Sequence, residues 1–369
     1  MRAYLLLAAI AAAITFFATW FLTNLANRYK IYPEIRGRDS HSVPTPRLGG
    51  LAMFVGFALT FGAAGLLGWF HSVFVEPGVV VGVIVSCLLI TLLGFFDDLY
   101  DLDWFLKLAG QFLVAGILAW QGVQIVSLPI FGLTIGSFGM SLVVTVFITV
   151  LIMNAVNFID GLDGLVAGVV LIGTGAFFVY TYLLAQQTSP NNYFSLSSLI
   201  SAIVLGVCAG FLPFNWRPAK IFMGDSGAML LGLLMATSAL SVTGQIDPQL
   251  VSRSDLVPAF LPLILPLAVL VLPLMDFTLS VLRRLRAGKS PFAADRGHIH
   301  HRLQDLGHTH LGSVLVFYVW TALISGSALA VFFVPFSAVL PYSFLGLVAS
   351  LTYTLWPVMP HRRKQKAKA

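Results

Sequence analysis

Charge is scarce in this chain. Asp, Glu, Lys and Arg make up 10% of its 369 residues and hydrophobic residues 58%, whereas soluble domains carry about 25% charge. So few polar groups cannot clothe a water-soluble surface, and lipid must be the solvent. Cysteine is nearly absent as well. Cys87 and Cys208 both lie inside apolar runs, where a thiol behaves as a small hydrophobe, which argues against a disulfide framework and leaves no zinc spacing. There is no Ser/Pro/Gln-rich linker and no low-complexity block. The length would allow two or three soluble domains of roughly 150 residues, yet apolar runs recur from end to end. Residues 1–369 therefore read as one integral-membrane domain, with a basic tail, HRRKQKAKA, at 361–369. Attraction to anionic lipid accounts for the tail, and the net charge of +6 follows from topology rather than from nucleic-acid binding.

What the chain has in abundance is long apolar segments. A hydrocarbon core of about 30 Å needs around 20 apolar residues per helix. Eleven segments qualify, near 3–24, 48–70, 79–96, 104–121, 138–156, 162–184, 196–212, 226–243, 258–282, 312–334 and 337–357. The first resembles a signal peptide because Arg2 precedes an alanine-rich run. Positive charges follow that run rather than lead it, so an uncleaved span is the better reading. Short cytoplasmic loops hold positive charge. With the N-terminus outside, they hold all of the 21 Lys and Arg except Arg2 and Arg253, and the C-terminus is cytoplasmic. Of the 15 carboxylates, only Glu76, Asp247 and Asp255 fall outside. Orientation does not require this, so a polar site is expected at the cytoplasmic face. The expected fold is an all-α polytopic membrane protein of about eleven helices with a cytoplasmic cleft.

Five polar elements interrupt the apolar pattern. In GFFDDLYDLDWFLKLAGQ, Asp97 and Asp98 end the third span and Lys107 begins the fourth; adjacent carboxylates at a membrane boundary need a cation, a proton or water. Asp101 and Asp103 also suit plain capping of the next helix. In NAVNFIDGLDGL, Asn154, Asn157, Asp160 and Asp163 recur every three residues, which on a helix makes a slanting stripe, with Gly161 and Gly164 leaving room beside it. Such a stripe suits a polar ligand, or else hydrogen bonds between helices. In NWRPAKIFMGDSG, Asp225 stands before an apolar helix whose start can attract phosphate while the Asp holds a metal, or simply caps the helix. RRLRAGKSPFAADRGHIHHRL carries His298, His300, His301 and Arg302. These fit a clamp on sugar or pyrophosphate better than a zinc site, with a solvated loop as the plain alternative. RDSHSVPTPRLGG, with His41, Thr45, Arg47, Gly49 and Gly50, is held extended by Pro44 and Pro46 and is placed to close one wall of the site.

In this order the elements resemble the polyprenyl-phosphate N-acetylhexosamine-1-phosphate transferases, the glycosyltransferase family 4 superfamily that includes the WecA/TagO-like and MraY-like enzymes. The resemblance runs from about Arg38 to Arg302, and NAVNFIDGLDGL followed by FMGDSG is highly specific. VPTPRLGG and HIHH look like the branch using UDP-N-acetylglucosamine; the branch using UDP-muramoyl-pentapeptide carries an HHH segment and a TPTMGG-like element, and this chain has neither. The resemblance implies transfer of a sugar-1-phosphate from a UDP-sugar to undecaprenyl or decaprenyl phosphate, releasing UMP. That step starts a cell-envelope glycan such as lipopolysaccharide, teichoic acid or an arabinogalactan linker. It implies Asp97 as base or aligning group, Asp98 beside it, Asp225 as main magnesium ligand with Asp98 and Asp160, and Lys107 on phosphate. It also implies Asn157, Asp160 and Asp163 around nucleotide and metal, Phe222 against uracil, and His298, His300, His301 and Arg302 on the sugar side. Oxygen-only ligands with substrate phosphates suit magnesium, with manganese as a substitute, and a homodimer is compatible with the family. Two alternatives stand beside this reading. One is a UDP-muramoyl-pentapeptide phosphotransferase. The other is a transporter of an anionic or lipid-linked sugar, for which Asp276 inside the ninth span is the favouring residue.

Overall fold

The computed structural model describes residues 1–32, 45–125, 137–188, 194–243, 271–286, 288 and 299–357. Among these every regular element is helical. The order is α1 (Arg2–Tyr29), α2 (Gly49–Leu66), a 3₁₀ helix (Gly68–Phe74), α3 (Pro77–Tyr100), α4 (Trp104–Trp120), α5 (Phe138–Phe158) and α6 (Leu165–Thr188). It continues with α7 (Leu196–Asn215), α8 (Gly224–Thr243), α9 (Val271–Arg286), α10 (Ile299–Asp305), α11 (His310–Ala330) and α12 (Phe336–Leu355). Nine of the described helices are long and apolar enough to cross a membrane, and α4 is a shorter apolar helix of the same kind. The protein is a polytopic helical membrane protein. The first eight expected spans and the last two each coincide with a helix. Of the ninth, only the part from Val271 lies within the described residues, as α9.

The sequence explains which helices lie inside. Helix α8, GDSGAMLLGLLMATSALSVT, is the least apolar of the nine described spans and rich in Gly, Ala, Ser and Thr, residues that suit close packing against other helices rather than lipid. It is the most buried span and packs on α2, α3, α5 and α7. Helix α12 lies at the edge, its Leu, Phe and Tyr side chains exposed to the lipid. Lipid tails are as apolar as leucine, so helices here associate through close packing and interhelical hydrogen bonds. At the α1–α7 seam a Cβ on Gly206 would stand 2.1 Å from the Ala8 carbonyl oxygen, so backbone meets backbone. Between α7 and α8 the buried hydroxyls of Ser197, Ser201 and Ser238 join, with Ser197 Oγ donating to the Ser238 carbonyl at 2.7 Å. Each such bond contributes about 0.6 kcal/mol. Cys87 and Cys208 are free, buried thiols.

Two local expectations hold and two change. Helix α3 runs past residue 96 to Tyr100, which puts Asp97 and Asp98 inside its last turn; it stops where Asp101 turns left-handed (φ 54°) and donates its N–H to the Asp97 carbonyl at 2.9 Å. Of the two acids expected to cap α4, Asp103 does so, accepting from the Phe105 amide at 2.9 Å. Helix α5 ends at Phe158, so Asn154 and Asn157 lie on it while Asp160 and Asp163 fall in the turn that follows. The four do not form one helical stripe. Asp225 lies within the first turn of α8 rather than before it.

Candidate active site

Four helix ends bring the polar elements together. The ammonium of Lys107, near the start of α4, lies 2.9 Å from Asp97 Oδ2 and in close contact with Asp225 Oδ2. Asn157, in the last turn of α5, donates from Nδ2 to Asp225 Oδ1 at 2.9 Å. Asp97 is held in turn by the Leu102 amide, which donates to Oδ1 at 3.0 Å. Asp98, the next residue on α3, reaches the start of α8 directly: its Oδ1 accepts from the Asp225 amide at 3.1 Å, and its Oδ2 from the Ser226 amide and hydroxyl, both at 3.3 Å. These are orphan N–H groups of the first turn of α8, and a carboxylate there is favoured by hydrogen bonding and by the helix dipole. The cap of α8 therefore comes from another helix, and Asp225 is free of that duty.

This junction needs very small residues. A Cβ on Gly94 of α3 would stand 2.4 Å from the Ser226 nitrogen of α8, which is why the two helices approach closely enough for Asp98 to reach the amides. Gly224 has φ +67°, and a Cβ there would lie 2.3 Å from Asp98 Oδ2. Gly224→Ala is therefore expected to lower stability by about 1–3 kcal/mol, from left-handed strain plus the clash. A fall in the thermal midpoint in detergent checks it, and an unshifted midpoint would show that α8 can start another way.

The segment before α2 closes one wall. The Phe222 amide donates to the Pro46 carbonyl at 2.9 Å, and the Gly49 and Gly50 amides donate to the carbonyls of Phe222 and Met223 at 3.0 and 2.9 Å. The expected meeting of VPTPRLGG with FMGDSG is thus a backbone ladder, and it carries Arg47 into electrostatic range of Asp98. Phe222 itself is half-buried beside it. On the other flank Asp163 is buried and accepts from the Ala219 amide at 3.3 Å. The Gly164 amide donates to Asn215 Oδ1 at 3.0 Å, and the Tyr318 hydroxyl of α11 donates to the Gly164 carbonyl. Asp163 thus braces the 216–221 loop. Asp160, in the same turn, is half-buried.

Not every expected residue joins the group. His298 lies outside the described residues, as does His41; His300 and His301 stand on α10, but their side chains are outside the description. Arg302, also on α10, is exposed. Asp276 is buried on α9, with Ser280 and Arg284 buried four and eight residues on, and the Arg284 guanidinium lies 5.7 Å from the Phe158 ring centre. Ser226, which with Gly227 in the sequence marks a close approach of backbone N–H groups, presents both its amide and its hydroxyl to Asp98.

The donors gathered here are oxygens and nitrogens, with no thiolate among them. Among the described residues no group of three or more His, Cys, Asp or Glu forms a metal cage. Such a set does not suit zinc or a calcium cage. It does fit a hard cation held by one or two carboxylates and completed by phosphate oxygens and water, as magnesium usually is. Asp225, its side chain 32% exposed, is the carboxylate best placed for it, because Asp98 is buried against the α8 amides.

Fold and site together define a class: a multi-pass membrane protein whose carboxylates share an ammonium where α3, α4, α5 and α8 meet. The sequence profile described as glycosyl transferase family 4 matches residues 80–243, a range that spans Asp97, Asp98, Lys107, Asn157 and Asp225. The chain is 38% identical to a decaprenyl-phosphate N-acetylglucosaminephosphotransferase of Mycobacterium leprae, over 91% of this chain and 85% of that protein. It is 32% identical to a probable undecaprenyl-phosphate N-acetylglucosaminyl 1-phosphate transferase of Bacillus subtilis, over 87% and 84%. A phospho-N-acetylmuramoyl-pentapeptide-transferase of Mycobacteroides abscessus is 30% identical over 90% and 98%. The chain belongs to glycosyl transferase family 4.

Proposed function

We propose that this protein transfers N-acetylglucosamine-1-phosphate, or a close N-acetylhexosamine-1-phosphate, from its UDP-sugar to polyprenyl phosphate. An oxygen of the lipid phosphate bonds to the β-phosphorus of the UDP-sugar. The bond from that phosphorus to the oxygen bridging to the α-phosphorus breaks, and UMP leaves with that oxygen. The products are polyprenyl-diphospho-sugar, the first lipid-linked unit of a cell-envelope glycan, and UMP. The observation that carries this reading is the Lys107 ammonium shared between Asp97 and Asp225, in a chain 38% identical to a transferase of that name. Phosphoryl transfer needs charge neutralisation and alignment more than covalent help. A lipid phosphate is ionised near neutral pH, so Asp97 serves to align it beside Lys107 as much as to accept a proton.

Magnesium, held by Asp225 with Asp98 and Asp160 near it, would neutralise charge on the diphosphate. Asn157 orients Asp225 for this by its hydrogen bond. Phe222 offers a half-buried ring for uracil, and Asp163 fixes the loop that flanks it; Arg302 with His298, His300 and His301 would take the sugar and pyrophosphate side. The excess of Lys and Arg in one set of loops supports a plasma-membrane orientation with the N-terminus outside and the site facing the cytoplasm.

The test is UMP release by the full chain in detergent, with decaprenyl or undecaprenyl phosphate and each UDP-sugar in parallel. UDP-N-acetylglucosamine is expected to be turned over at least about a hundredfold better, in kcat/KM, than UDP-muramoyl-pentapeptide. The reverse order would move the protein to the muramoyl branch, which the Mycobacteroides abscessus relative represents. Uptake of a sugar phosphate by sealed vesicles without UMP formation would instead make it a transporter.

A further inference from the structure

One turn deeper than the contacts on Asp225, the same three helices meet again through polar side chains. Gln111 follows Lys107 by four residues on α4, Asn154 precedes Asn157 by three on α5, and Met229 follows Asp225 by four on α8. Residues so spaced share a helix face, so the deeper layer repeats the upper one. Asn154 Nδ2 donates to Gln111 Oε1 at 2.6 Å and to the Val150 carbonyl at 2.8 Å. Gln111 Nε2 points to Met229 Sδ at 3.1 Å, with Asn154 Oδ1 at 3.5 Å. Gln111 is fully buried.

Apolar side chains would hold these helices together without the desolvation cost of two carboxamides. What carboxamides add is direction, because their hydrogen bond fixes one register between α4 and α5. The site above depends on that register. Lys107 and Asn157, one from each helix, must reach different oxygens of a single carboxylate.

We propose that Gln111 and Asn154 are a positioning pair for the transfer reaction, whose hydrogen bond sets the α4–α5 register that brings Lys107 and Asn157 onto Asp225. Neither touches the reacting groups; both act through the residue one turn above. The proposal rests on the transferase reading, and wild-type turnover tests that reading separately.

The experiment measures UMP release from UDP-N-acetylglucosamine and undecaprenyl phosphate, beside thermal melting, for the full chain in detergent. In the double variant Gln111→Leu, Asn154→Leu both amides go together, so the midpoint is expected to hold. Turnover is expected to fall roughly 10- to 100-fold, as for catalytic groups displaced by about 1 Å. The KM for the UDP-sugar should change less than about threefold, because Phe222, Arg302 and the histidines proposed to hold it are not on α4 or α5. A purely structural pair gives the reverse, a lowered midpoint with unchanged kcat. The exchanged pair Gln111→Asn, Asn154→Gln keeps the combined reach and should recover kcat relative to either single substitution. Wild-type kcat in the folded leucine variant overturns the proposal. A folded exchanged pair no faster than its single variants overturns it too, and decides the matter if the leucine variant does not fold. Absence of UMP release by the unsubstituted protein removes the transferase reading itself.

Discussion

Asp225→Asn is expected to lower kcat for UMP release by about a thousandfold, with little change in the thermal midpoint, a loss of the size seen when a group that stabilises transition-state charge is removed. Asparagine has the shape of aspartate, but it cannot accept at both ends. One oxygen of Asp225 takes the Asn157 Nδ2 proton and the other faces the Lys107 ammonium, so an amide NH₂ must meet a donor on one side or the other. The fold should survive because the cap of α8 uses the backbone amide of residue 225, which asparagine keeps, and Lys107 retains Asp97 at 2.9 Å. UMP release and melting of the same detergent preparation check this. Full turnover by a folded Asp225→Asn protein would remove Asp225 from the chemistry and with it the main magnesium ligand proposed here.

The membrane fold was legible because its cause is compositional. Runs of around twenty apolar residues have one solution in lipid, a helix, whereas the central place of α8 depends on its packing partners and was not legible in its own run. The site was legible as a set of segments and less so as geometry. NAVNFIDGLDGL shows three-residue spacing that reads as helix, yet Gly161 and Gly164 were the warning. Gly164 sits at φ +75°, a left-handed conformation that keeps the turn after Phe158 from continuing straight into α6, and Asp163 accepts from the Ala219 amide instead of extending α5. Asp98 was read as a partner of Asp97. It is the cap of a helix 127 positions further on, a relation between distant segments that local spacing cannot encode. The pairing of Gly49 and Gly50 with Phe222 and Met223 is of the same kind: consecutive glycines show that something comes close, without showing what.

That division, between charge that sequence displays and register that it hides, bears most on Lys107. Lys107→Met should reduce kcat for UMP release by roughly a hundredfold or more, since a preorganised cation at a developing phosphate charge is lost. The two directions of binding should separate. Asp97 and Asp225 would then face each other without the ammonium between them, so the local field becomes more negative. A divalent cation should bind more readily and a phosphate less so. Half-saturating magnesium is therefore expected to fall while the KM for polyprenyl phosphate rises. Lys107→Arg should recover only part of the rate, leaving a loss of about tenfold, because a planar fork cannot replace a compact ammonium between two carboxylates. If Lys107 served only to order Asp225, both constants would move differently: the magnesium requirement would rise and the KM for polyprenyl phosphate would stay fixed. Titrating magnesium and polyprenyl phosphate independently in the Lys107→Met protein distinguishes a phosphate-binding cation from a strut.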